Sequence, residues 1–173
     1  SSDIEHQAFS GKALFRSIGL HNQQSHFFRP RIPDNMQLKS CIVDSGCSIH
    51  MFSDSSQFQN LIPSHVTLQT ADKKTHSISS EGAVTLQAVQ RNGIGKRIHI
   101  GRTLHTPGMH NLLSCCGVLD SGGVVHLESG NSYIKLRDDT VFPVHKRGKL
   151  FYLDYITPAT KHSVPARHPP THA

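Results

Sequence analysis

From Gln37 onward, short apolar runs alternate with polar positions and are cut at close intervals by turn-forming residues. "LKSCIVDSG" (Leu38 to Gly46) reads as a strand that runs into a sharp loop. "HVTLQTA" and "HSISSEGAVTLQAV" show the partial apolar–polar alternation of half-buried strands, and "ADKKT" between them has the composition of a hairpin tip. "RIHIGRTLHTPG" predicts another strand, closed by Pro107-Gly108. Only "HNLLSCCGVLDSGG" has helical character, with Leu112, Leu113, Cys116 and Leu119 close to helical spacing and Gly122-Gly123 as a stop. "VVHLES", "SYIKLRDD" and "TVFPVHKRGKLFYLDY" predict three further strands. The expected class is therefore all-β with one short helix, and many short strands at close spacing favour a closed or folded-over sheet.

The flanks break this pattern. Residues 1–36 include the polar stretch "HNQQSHFFRPRIPDN" with Pro30 and Pro33, and read as a poorly ordered leader or linker. Residues 37–155 form the predicted domain, and residues 156–173 read as a Pro- and His-rich disordered tail.

Composition narrows the function classes. At 173 residues, 36% hydrophobic and 17% charged, the chain is long and apolar enough for one folded domain. No apolar run approaches the roughly 20 residues of a membrane helix, so no membrane partner is expected. No signal-peptide pattern opens the sequence, and an intracellular setting is the default. The net charge of +6 is thinly spread, with "KRGK" (Lys146 to Lys149) the densest run, so the expectation is weak nucleic-acid attraction rather than a dedicated site. The four cysteines, Cys41, Cys47, Cys115 and Cys116, read as buried reduced thiols.

The candidate chemistry lies in "CIVDSGCSIHMF", Cys41 to Phe52. Asp-Ser-Gly by itself often only ends a strand. Here Ile42-Val43 supplies a buried strand, Asp44 an acid on a tight loop, Ser45 a hydroxyl that can brace a facing loop, and Gly46 room for close approach. Two such carboxylates facing each other share one proton and activate a water. A lid is expected over Val66 to Leu86, with its tip at Ala71, Asp72, Lys73 and Lys74, and "NLLS" (Asn111 to Ser114) is expected to pass beneath the Asp loop. A second "DSG" begins at Asp120, but it follows the helical stretch and reads as a helix-end turn. Cys47-x-x-His50 and His110-x4-Cys115-Cys116 contain zinc-type ligands, yet their spacing fits no common finger. No metal and no cofactor are expected, and His50 reads as packed or hydrogen-bonded beside the loop.

"VDSGCSIHM", "GAVTL", "LHTPGMHNLLS" and "GKLFYL" follow one another as do the blocks of the protease in copia-type LTR retrotransposon polyproteins, and residues 41–153 resemble that family. The resemblance implies a retropepsin-like closed β-barrel with a β-hairpin flap, built to dimerise. It implies an aspartic endopeptidase acting on its own polyprotein in the cytoplasm, within virus-like particles. The catalytic role falls on Asp44, with Ser45 and Gly46 as loop support, and the second acid comes from a second copy of the chain. Cys47 stands where some relatives have Ala, and the tip "ADKK" lacks the Gly that many of them show. The alternative is a catalytically inactive barrel of the same fold that serves as a binding or assembly module.

Overall fold

The computed structural model describes residues 29–159. The leader up to residue 28 and the tail from residue 160 lie outside the described residues. Ten strands account for nearly all regular structure: β1 (Met36–Asp44), β2 (His50–Phe52), β3 (Ile62–Gln69), β4 (Thr75–Val89), β5 (Gly95–His105), β6 (Leu112–Ser114), β7 (Val124–His126), β8 (Ser132–Lys135), β9 (Val141–Arg147) and β10 (Leu150–Pro158). One 3-10 turn (Ser55–Gln57) and one short helix, α1 (Cys115–Asp120), complete the set. The chain thus forms a β-rich domain consistent with a β-barrel.

Strand order is β3-β4-β5-β2-β6-β1-β10-β9-β8-β7, and β4 also pairs with β10. Six strands, β4-β5-β2-β6-β1-β10, therefore follow one another in a cycle of pairings. β1 runs antiparallel to β10 from Met36↔Pro158 to Ile42↔Tyr152, and β10 reaches β4 at Tyr155↔Ala88. The inward positions of these strands meet in one core, including Cys41, Val43, Phe52, Val84, Leu86, Leu113, Leu153 and Tyr155. β10 lies between β1, β4 and β9, and this explains why five successive residues, Leu153 to Thr157, are buried.

Several boundaries differ from the sequence expectation. "TVFPVHKRGKLFYLDY" folds as two strands, β9 and β10, joined through Gly148 at φ 64°. β10 continues to Pro158 with Ile156 and Thr157 buried, so it overruns the expected boundary at Tyr155. At the other end β1 already begins at Met36. Leu112 to Ser114 form a strand and only Cys115–Asp120 is helical, because β6 is held in the sheet by β1 and β2. β2 carried no signal of its own, since three residues are too few to show a period.

Three hairpin connections share one geometry. In Thr70–Lys74, Gln90–Ile94 and Leu136–Thr140 the first N–H donates to the fifth carbonyl and the fourth N–H donates to the first carbonyl. The third residue is Asp72, Asn92 or Asp138, whose side chain accepts from the N–H two residues on. The fourth position is left-handed in all three: Lys73 at φ 65°, Gly93 at φ 85° and Asp139 at φ 66°. Lysine is the poorest fit of these, because its Cβ opposes that conformation. Lys73→Gly is expected to raise unfolding free energy by roughly 0.5–1 kcal/mol, read as a higher urea midpoint at unchanged slope.

Candidate active site

Asp44 is the last residue of β1, where the alternation of the strand turns Cys41 and Val43 into the core and leaves Asp44 half-buried. β1 and β6 pair in parallel, with Asp44 level with Ser114. "NLLS", expected to pass beneath the Asp loop, lies beside the acid as the neighbouring strand of the sheet. Gly46 N–H donates to Asp44 Oδ1 at 2.8 Å and folds the loop back on the carboxylate. Gly46 does not adopt the left-handed conformation, and a Cβ there would meet Asp44 Oδ1 at 3.4 Å, an ordinary contact. Its value in this chain is therefore exposed space beside the acid rather than freedom to turn. Ser45 is half-buried next to it.

Ser114 is the node that holds this loop. Its hydroxyl donates to the Cys47 carbonyl at 2.5 Å and accepts from Gly117 N–H at 3.1 Å, so it caps α1 while tethering the Asp44 loop. Its backbone N–H donates to His50 Nδ1 at 2.9 Å. His50 is buried, and burial pushes its imidazole pKa down to about 4. Its other ring nitrogen faces α1, where a Cβ at Gly117 would overlap it. Asn111 adds a second tie: its Oδ1 accepts from Ser53 N–H at 2.8 Å, and its Nδ2 donates to the Tyr155 hydroxyl at 3.0 Å. Ser114, Gly117 and Asn111 were not singled out individually from the sequence. Their only signal was membership of the "NLLS" block and the following helix cap.

The β3–β4 hairpin packs beside this region. Its inward residues Val66, Leu68 and Ile78 form a second apolar cluster with Cys47, Ile49, Met51, Leu104 and Leu112. Cys47, Ile49 and Met51 follow directly on the Asp44 loop, so the hairpin packs against the segment that continues from it. Glu81 pins the base of the hairpin, accepting from Ser64 Oγ at 2.7 Å and from Arg102 Nε at 2.9 Å. Ala71, Asp72, Lys73 and Lys74 are exposed at the tip. A cavity of about 830 Å³ lies on another side of the loop, lined by Ser48, Ile49, His50, Gly117 and Asp120, and Asp44 does not line it. Asp120 is the exposed last residue of α1 and pairs with no strand.

The thiols divide. All four are free, Cys41 and Cys115 are buried, Cys47 is half-buried, and Cys116 is exposed, against the expectation of burial. Helix α1 turns Cys116 to solvent because the adjacent Cys115 takes the core position. Burial pushes Cys41 up to about 12. Burial, then the charge of Asp44, pushes Cys115 to about 11. Cys47 is raised by burial and donates to the Ile49 carbonyl at 2.7 Å, while His50 Nδ1 is taken by Ser114. Cys47 and His50 are thus not an activated thiol–imidazole pair. Among the described residues no group of three or more His, Cys, Asp or Glu is placed to hold a metal. No helix there is long and apolar enough to cross a membrane.

Residues 41–124 match the family model of the Pol polyprotein, beta-barrel domain. The match supports reading the chain as a region of a retroelement polyprotein. No curated protein and no solved structure matches it. The Pol beta-barrel match opens in β1 at Cys41 and closes at Val124, the first residue of β7, so β8, β9 and β10 lie beyond it. The Asp44 loop, the hairpin and the Ser114 node all lie inside it.

The node makes a direct prediction. Gly117→Ala places a methyl against the His50 ring and should cost about 1–3 kcal/mol of unfolding free energy. Exposed Gly101, which has open space around its Cβ position, is the control, and Gly101→Ala should change stability by under about 1 kcal/mol. Paired thermal or urea melts measure both.

Proposed function

We propose that this chain is the aspartic endopeptidase of a copia-type LTR retrotransposon polyprotein, a retropepsin-like closed barrel active as a homodimer. The observation that carries the reading is the position of Asp44. It ends a core strand level with Ser114 of β6, on a loop whose following residues pack with the β3–β4 hairpin in one apolar cluster. The substrate is an extended segment of the polyprotein, laid between hairpin and loop. The hairpin, with Ala71 to Lys74 at its tip, is the flap.

A second copy supplies the second acid, because a lone carboxylate has no partner with which to share a proton. One Asp44 is ionised and takes a proton from water as the oxygen attacks the scissile carbonyl. The other is protonated and donates to the carbonyl oxygen. Collapse of the tetrahedral intermediate breaks the C–N bond, and the amine leaves with a proton from the dyad. Ser45 braces the facing loop, and Gly46 leaves room for it. Processing takes place in the cytoplasm within virus-like particles, and the basic surface adds a weak attraction to nucleic acid.

Asp44→Asn is expected to lower peptide hydrolysis roughly 10²–10⁴-fold with circular dichroism unchanged, whereas Asp120→Asn leaves the rate intact. Specific activity should rise with protein concentration until dimerisation saturates, followed by sedimentation alongside the assay. The pH profile should be bell-shaped, as expected for a coupled pair of carboxylates. A folded dimer with no hydrolysis of any polyprotein junction, and no response to a pepstatin-like inhibitor, would instead identify a binding or assembly module.

A further inference from the structure

The sequence motif places a histidine six residues after the acid, and the mechanism above makes no use of it. His50 leaves the catalytic loop at the start of β2, yet it is tied back to that loop from behind. Its Nδ1 accepts from the N–H of Ser114, the residue level with Asp44 in the β1–β6 pairing. The Ser114 hydroxyl then holds the Cys47 carbonyl at the far end of the Asp-Ser-Gly turn. Because Nδ1 accepts, the neutral ring carries its proton on Nε2. We propose that His50 is a positioning residue for Asp44, holding the catalytic loop through Ser114 only while the imidazole is neutral.

Protonation turns Nδ1 from an acceptor into a donor. An N–H would then face the N–H of Ser114, and the tie would become a repulsion. The surroundings offer the imidazolium little compensation. Burial is the cause that holds the ring neutral, and no neighbouring carboxylate offsets it. The thiols of Cys47, Cys115 and Cys116 sit on the loop and on α1, and Asp44 is across the β6 pairing. The cavity beside the ring brings Asp120 and Asp138 to its walls, but Lys96, Arg97 and Arg102, with His99, line it as well. Lys96 already binds Asp138 at 2.9 Å. The same cavity gives a proton a route to the ring without unfolding of the loop.

The sign follows from the direction of the shift. An imidazole with a folded pKa near 4 and an ordinary value of 6.5 binds more protons unfolded than folded between those limits. The contribution of His50 is therefore fully present above about pH 6.5 and is lost as the pH falls towards 4. In the proposed protease this sets an acid limit that is distinct from protonation of the Asp44 dyad.

The test uses the full chain and two readouts, only one of which depends on the proposed activity. Nitrogen-15 NMR of the wild type at pH 7 should show the Nε2–H tautomer of His50. Hydrogen-exchange protection of the Ser114 amide should fall about tenfold or more between pH 6.5 and 4.5, after correction for intrinsic exchange. His50→Asn, whose carbonyl can accept in place of Nδ1 and never charges, should keep that protection flat with pH. His50→Leu should lose it at every pH. In the hydrolysis assay His50→Asn should keep kcat near neutrality and lose the extra acid-side decline, with KM little changed. An Nδ1–H tautomer in the wild type, or the same acid loss of Ser114 protection in His50→Asn, would overturn the proposal. Should His50→Asn fail to fold, the wild-type tautomer and titration decide alone. A chain that shows the predicted exchange behaviour but no hydrolysis would remove the protease reading and leave the His50 brace standing.

Discussion

The parallel pairing of three residues, Ile42 to Asp44 with Leu112 to Ser114, is the constraint on which the rest of the structure depends. It joins two segments distant in sequence, gives β1 its second neighbour, and sets Asp44 beside the cap of α1. Without it the cycle of strands would open between β1 and β6, and the Asp44 loop would lose Ser114. A three-residue parallel pairing is weak in isolation. It is held here because Val43 and Leu113 are both buried in the same core, while Ile42 N–H donates to the Asn111 carbonyl at 2.9 Å.

Around that pairing, polar groups do the orienting and apolar groups supply the adhesion. Ser114 spends its hydroxyl on a helix cap and a loop tether at once, and Asn111 links the end of β2 to β10 through Tyr155. On the outer face, buried Asp154 accepts from Ser40 at 2.7 Å and from Arg147 at 3.3 Å, fixing the register of β1, β10 and β9. The β3–β4 hairpin is built differently. Its base is pinned through Glu81, and its outer half leans on a small apolar cluster. Such an element opens locally at less cost than the body of the sheet.

What could be read from the sequence follows the range of each signal. Strand β1, its turn at Asp44 and the β3–β4 hairpin are local: alternation and turn residues lie within one short window, and all three are legible there. The helix end at Asp120 was local too, marked by the following glycines. The division of "TVFPVHKRGKLFYLDY" was missed because Gly148 sits among basic residues that resemble a continuing polar face. The strand β6 was missed because Leu112 and Leu113 fit a helix as well as a sheet, and only distant β1 decides between them. The roles of His50, Ser114 and Gly117 are likewise partnerships across the fold. The exposure of Cys116 depended on which of two adjacent thiols the helix turned inward.

β10 carries a consequence in time. It pairs with β1 along almost its whole length, from Met36↔Pro158 to Ile42↔Tyr152, so the first strand of the domain waits for the last. On the ribosome, β1 and the Asp44 loop emerge early, while the residues that close the cycle emerge at the end of the domain. Pairings this distant in sequence also form slowly, since the loop between them must first be closed. A growing polyprotein therefore carries its acid loop for most of the synthesis of the domain with one edge of β1 open. Ser114 can tether the loop as soon as β6 has emerged, but the far edge of β1 stays unpaired until translation passes Pro158.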